Sequence, residues 1–138
     1  MSERGTRIAL GVVAVVGAAI CIYLLAVRET GSHLVCSTGG CEAVQRSSYS
    51  ELLGIPVAAL GLGAYVALGL CALLSGERAR MAGAVIAVAG AVFSIYLLGA
   101  QVFSIDAICQ WCVTSDLLMT AAAGLCIWRL RVAAPVTA

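Results

Sequence analysis

Four apolar stretches, residues 8–27, 54–74, 81–103 and 108–128, dominate the chain. Each is close to the roughly 20 residues with which a helix crosses a ~30 Å hydrocarbon core. With 62% hydrophobic and 11% charged residues in 138, the chain has more apolar surface than one soluble core of this size can bury. The expectation is an all-α membrane protein: a bundle of four transmembrane helices, with residues 1–138 as one integral membrane domain and no fused thioredoxin-like domain. A cleaved signal peptide is the competing reading of the first stretch, since Arg4 and Arg7 precede it. Its length, and the lack of a small-residue cleavage pattern at Arg28-Glu29-Thr30, argue against that.

Basic residues flanking spanning helices tend to stay in the cytoplasm. Arg4 and Arg7, Arg78 and Arg80, and Arg129 and Arg131 mark the N-terminus, the second connection and the C-terminus, which share one side if all four helices cross. The first connection has only Arg28 and Arg46, and the third carries Asp106 and no basic residue. Both termini are therefore expected in the cytoplasm, with the first and third connections outside. A formal net charge of +1 gives no reason to propose nucleic acid as a partner.

The first connection is the only long polar stretch. Gly31-Ser32-His33 and Ser37-Thr38-Gly39-Gly40 are turn-forming, whereas Glu42 to Arg46 has helical character, with Val44, Ser48 and Leu52 at i, i+4 and i+8. This predicts a short helix along the membrane surface, closed by Gly54. Pro56 suits the start of the second spanning helix, where its missing N–H does little harm. Glycines 61, 63, 83 and 90 and alanines 121 to 123 permit close helix packing. Residues 132–138 read as a frayed tail.

The seven cysteines are of two kinds. Cys21, Cys71 and Cys126 fall inside apolar stretches and read as small buried side chains. Cys36, Cys41, Cys109 and Cys112 fall in or beside the outer connections, in a compartment that permits disulfides. Cys109-Gln110-Trp111-Cys112 is a CxxC at the predicted start of the fourth helix, with Asp106 available to cap it. That spacing puts both sulfurs on one helical face, and the helix N-terminus favours thiolate and hence disulfide exchange. Metal ligation uses the same spacing. Cys36 and Cys41 flank a flexible segment that could close into a small disulfide and reopen; a purely structural loop disulfide is the other reading.

The chain resembles the vitamin K epoxide reductase family in its bacterial form. The resemblance rests on four apolar stretches, the loop pair between the first two, Cys41-x-x-Val44-x-x-Ser47, Tyr49, Gly54-Ile55-Pro56 and Cys109-x-x-Cys112-x-Thr114-Ser115. It implies a quinone-dependent, disulfide-generating oxidoreductase of the bacterial cytoplasmic membrane, with its redox cysteines on the outer face. Cys36 and Cys41 would be the shuttle pair, receiving electrons from a separate thioredoxin-fold (DsbA-like) oxidant. Cys41 would then attack Cys109, and Cys112 would face the quinone, whether menaquinone, ubiquinone or a vitamin K type. Ser47, Tyr49, Ser115 and Asp116 would lie near the quinone. Two departures stand out: Asp116 occupies a position held by tyrosine in animal members, and the chain has no asparagine to bind the quinone as theirs does. Plain quinone reduction is accordingly favoured over epoxide reduction.

Asp116 follows Cys112 by four residues, one turn deeper on the same helical face. An ionisable group there is costly, so a proton donor to quinone or a modulator of Cys112 stands beside a carboxylate hydrated at the boundary. His33, the sole histidine, reads as a solvated loop residue. A soft-metal-binding or transport protein using the same cysteines, and a structural bundle partner, are the competing classes.

Overall fold

The computed structural model describes residues 2–31, 36 and 39–133. His33 and the Ser37-Thr38 segment lie outside the described residues, as does the expected tail beyond residue 133. Four long helices account for most of the chain: α1 (Glu3–Thr30), α3 (Val57–Leu73), α4 (Glu77–Gly99) and α5 (Gln110–Ala133). A six-residue α2 (Cys41–Arg46) and a 3-10 turn (Ser48–Ser50) lie between α1 and α3. α1 packs on α3 and α5, and α4 packs on α5 and α3, closing a four-membered ring.

Among the described residues, three segments are long and apolar enough to cross a membrane: Glu3–Thr30, Glu77–Ile105 and Gln110–Val132. The fourth, Val57–Leu73, is apolar but shorter. It starts three residues after the predicted Gly54 because Glu51 and Leu52 pair antiparallel with Pro56 and Ile55. Leu53 (φ 54°) and Gly54 (φ 81°) are both left-handed, the conformation of a two-residue hairpin turn whose twist matches its strands. The expected surface helix ends sooner than its spacing suggested, since Ser47 is extended (φ −69°, ψ 160°) and breaks the i, i+4, i+8 row after Val44. At the far end of α4, Ala100–Ile105 widens into a π-helical turn, a local device often associated with functional sites.

The interior is built from small side chains. Ala14, Ala72, Ala84, Ala87, Ala91 and Ala122 pack with Leu10, Leu68, Tyr65 and Met119, while Val15, Val85, Val92 and Ile95 project outward. This inside-out distribution suits a lipid solvent, in which helices associate by close van der Waals contact. The tightest approach is at Gly17, where a Cβ would fall 2.2 Å from the Tyr65 ring.

One end of the bundle is tied by arginines. Arg129 is 1% exposed. It donates to the carbonyls of Cys71 (2.7 Å) and Leu74 (2.7 Å) and to Glu3 Oε1 (3.0 Å). Arg7 donates to the carbonyls of Ala72 (2.7 Å) and Leu73 (2.6 Å). The last carbonyls of α3 have no partners within the helix, and guanidinium groups from α1 and α5 satisfy them. At the opposite end Arg28 binds the Gln45 carbonyl, Ser50 Oγ and Glu51, holding the α2 region against α1.

Gly17→Ala should force Tyr65 from its site and lower stability by roughly 1–3 kcal/mol. Gly11→Ala, where a Cβ meets open space, should be neutral or slightly stabilising by thermal unfolding in detergent. Arg129→Ala should cost roughly 3 kcal/mol or more, because it strands buried carbonyls and a carboxylate. Exposed Arg131→Ala should leave the same transition nearly unmoved.

Candidate redox site

Both cysteine pairs lie together at the end of the bundle opposite Arg7 and Arg129. Cys36 and Cys41 are joined in a disulfide, and Cys109 and Cys112 are free thiols. Cys41, Val44 and Cys109 form one buried cluster, against which Cys36, Ile105, Ala107, Trp111 and Cys112 pack. Gly40 permits this seating of loop on bundle, since a Cβ there would lie 2.6 Å from the Ile108 carbonyl oxygen and 2.7 Å from its nitrogen. Trp111 anchors the CxxC to α1, its ring edge-to-face with Tyr23 at 4.9 Å.

The cap of α5 differs from expectation. Asp106, in the left-handed region (φ 56°), terminates the π-helical turn three residues upstream. The capping group is Cys109 itself: its Sγ accepts the Cys112 N–H at 3.4 Å and its carbonyl accepts the Val113 N–H at 2.9 Å, the pattern of an N-cap. Cys109 precedes Gln110–Val132, one of the segments long and apolar enough to cross a membrane. Its thiol is drawn well below the ordinary thiol range, first by a hydrogen bond from the Cys112 thiol. Burial opposes this, while the backbone N–H groups of Cys112 and Trp111 and the Gln45 side chain reinforce the lowering. Gln101 fixes the Cys109 backbone: its Oε1 accepts the Cys109 N–H at 2.9 Å, and its own carbonyl accepts the Ala107 N–H at 3.1 Å.

A cavity of about 420 Å³ opens beside Cys112. Cys112, Ser115 and Asp116 of α5 line it, with Gln45 and Tyr49 from the first connection and an otherwise mainly apolar wall. Cys109 does not line it; that sulfur is fully buried in the cluster with Cys41. The two thiols of the CxxC therefore differ in surroundings: Cys109 is enclosed in the cluster that holds Cys41, whereas Cys112, packed against that cluster, also borders the cavity.

The other residues singled out from sequence are distributed as follows. Tyr49 packs against Tyr96 of α4, ring centroids 6.0 Å apart. Ser115 Oγ lies 3.1 Å from the Tyr65 hydroxyl, which donates to the Ser115 carbonyl at 2.6 Å. Asp116 is 6% exposed; Ser94 hydrogen-bonds its carboxyl, and Oδ2 has no partner among the described residues. Ser47 is not among the lining residues, and its hydroxyl donates to the Val44 carbonyl at 2.7 Å. Cys21, Cys71 and Cys126 are buried between helices, Cys21 also reaching the cavity wall. Among the described residues, no three or more His, Cys, Asp or Glu side chains stand together as a metal-ligand group.

Sequence reasoning missed Gln45, Gln101 and Tyr65. Gln101 and Tyr65 are polar side chains within apolar stretches, which is itself a signal of function or packing demand. Gln45 sits among other polar residues of the first connection and carries no such mark.

Gly40→Ala should lift the loop pair from Ile108 and slow disulfide exchange between the loop and inner pairs at least about tenfold, since exchange depends on access. Quenched alkylation of each cysteine over time would measure it.

The sequence model of the vitamin K epoxide reductase family matches residues 8–127, a region holding both cysteine pairs and all but the margins of the four apolar stretches. With its long apolar helices and its juxtaposed disulfide and dithiol, the chain belongs to the vitamin K epoxide reductase family, membrane oxidoreductases that link thiol chemistry to quinone-type substrates.

Proposed function

We propose that the chain takes electrons from a separate thioredoxin-fold protein outside the cytoplasm and passes them to a membrane quinone, so driving disulfide formation. The observation that carries this reading is the difference within the CxxC: Cys109 shares a buried cluster with Cys41, and Cys112 borders an apolar cavity large enough for a quinone ring.

In this reading the partner's dithiol reduces the Cys36–Cys41 disulfide and leaves oxidised. The Cys41 thiolate attacks Cys109 in the inner disulfide and expels Cys112 as thiolate; Cys36 then attacks Cys41, re-forming the loop disulfide and releasing Cys109. The inner dithiol gives up two electrons and two protons as quinone becomes quinol, and its disulfide returns. The arrangement in hand, loop pair oxidised and inner pair reduced, suits the moment before quinone reduction. Asp116, buried on the cavity wall with Oδ2 unpartnered among the described residues, is proposed to relay protons released by the dithiol to the quinone. Tyr49 and Ser115 line the same cavity and are the proposed ring contacts.

Four membrane passes accompany this proposal. Seventeen residues of α3 rise about 26 Å, a few ångströms short of a ~30 Å core, a mismatch costing fractions of a kcal/mol per Å. The guanidinium groups of Arg7 and Arg129 on its last carbonyls ease the remaining difficulty, since bare carbonyls are not tolerated in hydrocarbon. Arginine placement then favours a cytoplasmic location for that end and an outer location for the cysteines.

The test mixes purified, reduced protein in detergent with a short-chain quinone and follows quinol formation alongside thiol loss. Cys112→Ala should abolish quinone reduction. Cys36→Ala should retain it with a small-thiol donor, and Asp116→Asn should slow it about 10²-fold or more, the usual weight of a lost general acid. Wild-type protein that reduces no quinone, with thiols that hold zinc or copper instead, would sink the proposal.

A further inference from the structure

Gln45 is the one side chain of the first connection observed to hydrogen-bond the inner pair among the described residues. Its Nε2 donates to Cys112 Sγ at 3.3 Å, and it also lines the cavity. It lies in α2, the six-residue helix that Cys41 opens, four residues further on, so the two share one face of that helix. The Gln45 carbonyl accepts from Arg28, which also binds Ser50 and Glu51 and so fixes this turn to α1. One short helix thus places Cys41 in the buried cluster with Cys109 and sets the Gln45 amide beside both inner thiols, with its 3.3 Å hydrogen bond to Cys112 Sγ on the cavity side.

We propose that Gln45 is a further catalytic residue, whose side-chain amide stabilises the negative charge that develops on Cys112 Sγ when Cys41 attacks Cys109. The inference rests on the relay described above. In the step concerned, the Cys41–Cys109 bond forms, the Cys109–Cys112 bond breaks, and the electron pair of the broken bond goes to Cys112. Sulfur expelled toward an apolar cavity has little water to solvate it. A preplaced N–H compensates, as donors aimed at developing charge do elsewhere, and a more stable thiolate leaves faster. Because Gln45 travels with Cys41, the donor is in place when the loop is seated.

The experiment uses full-length protein carrying Cys109→Ser, which keeps a capping oxygen at the head of α5. A small alkylating agent reacts with the protein across a range of pH, and mass spectrometry follows the peptide containing Cys112. Gln45→Leu, which removes the donor, should raise the pH of half-maximal reaction by about one unit, a tenfold loss of thiolate below it. Gln45→Lys, which keeps an N–H donor and adds charge, should lower it. A Gln45→Leu profile that superimposes on the parent overturns the proposal. So does an upward shift in both variants, which would mark a general disturbance of the α2 region. With Cys109 restored, Gln45→Leu should slow transfer from the loop pair to the inner pair about three- to tenfold; an unchanged rate overturns the catalytic role. Opposite shifts and slowed transfer in a chain that reduces no quinone would sink the quinone reading and leave the thiol role of Gln45 standing.

Discussion

The bundle depends on how closely its helices approach through alanine and glycine. Water provides no drive to associate when both solvent and core are apolar, so contact itself must supply the attraction. Where Gly17 faces Tyr65 there is no room for a methyl group, and this contact positions the tyrosine hydroxyl on Ser115 of α5. Tight packing in the body leaves the cavity as a local exception near the cysteines, where Leu, Ile and Phe side chains from three helices fail to meet.

Three arginines near the ends of the bundle complete the backbone there. Arg7 and Arg129 cap α3 from two neighbouring helices, which makes the shortest of the four long helices a shared structural responsibility. Arg28 performs a similar service at the opposite end, fastening the turn that holds Gln45 and Glu51. The buried cationic groups are thereby paired rather than stranded, as a low-dielectric setting demands.

At the redox end, function follows from asymmetry within four residues. Cys109 is a helix cap, held by Gln101 and beside backbone donors, and it shares a buried cluster with Cys41 of the loop disulfide. Cys112 lies one turn into the helix, beside the cavity and the Gln45 amide. Equal sulfurs become unequal because the helix begins between them. The π-helical turn at Ala100–Ile105 contributes by delivering Gln101 to this position.

Much of the architecture was legible in the chain itself. Four apolar stretches, the turn-rich first connection and two cysteine pairs can be read directly, because hydrophobic length and cysteine spacing are local properties. Helix ends were less legible: the start of α3 depends on a hairpin, and the cap of α5 fell to Cys109 rather than Asp106. Placement of the candidate quinone contacts was legible only in part. Ser115 and Asp116 follow Cys112 on the same helix, so helical periodicity puts them near it, whereas the Ser47 hydroxyl donates to the Val44 carbonyl of α2. Gln101 stood out as a polar side chain in an apolar stretch, but its partner, like that of Gln45, could be found only once folded. These partners lie 8 and 67 residues away, respectively, across loops and turns, and such meetings are set by tertiary packing. Sequence determined which sulfurs were available; folding decided which one is enclosed with Cys41 and which borders the cavity.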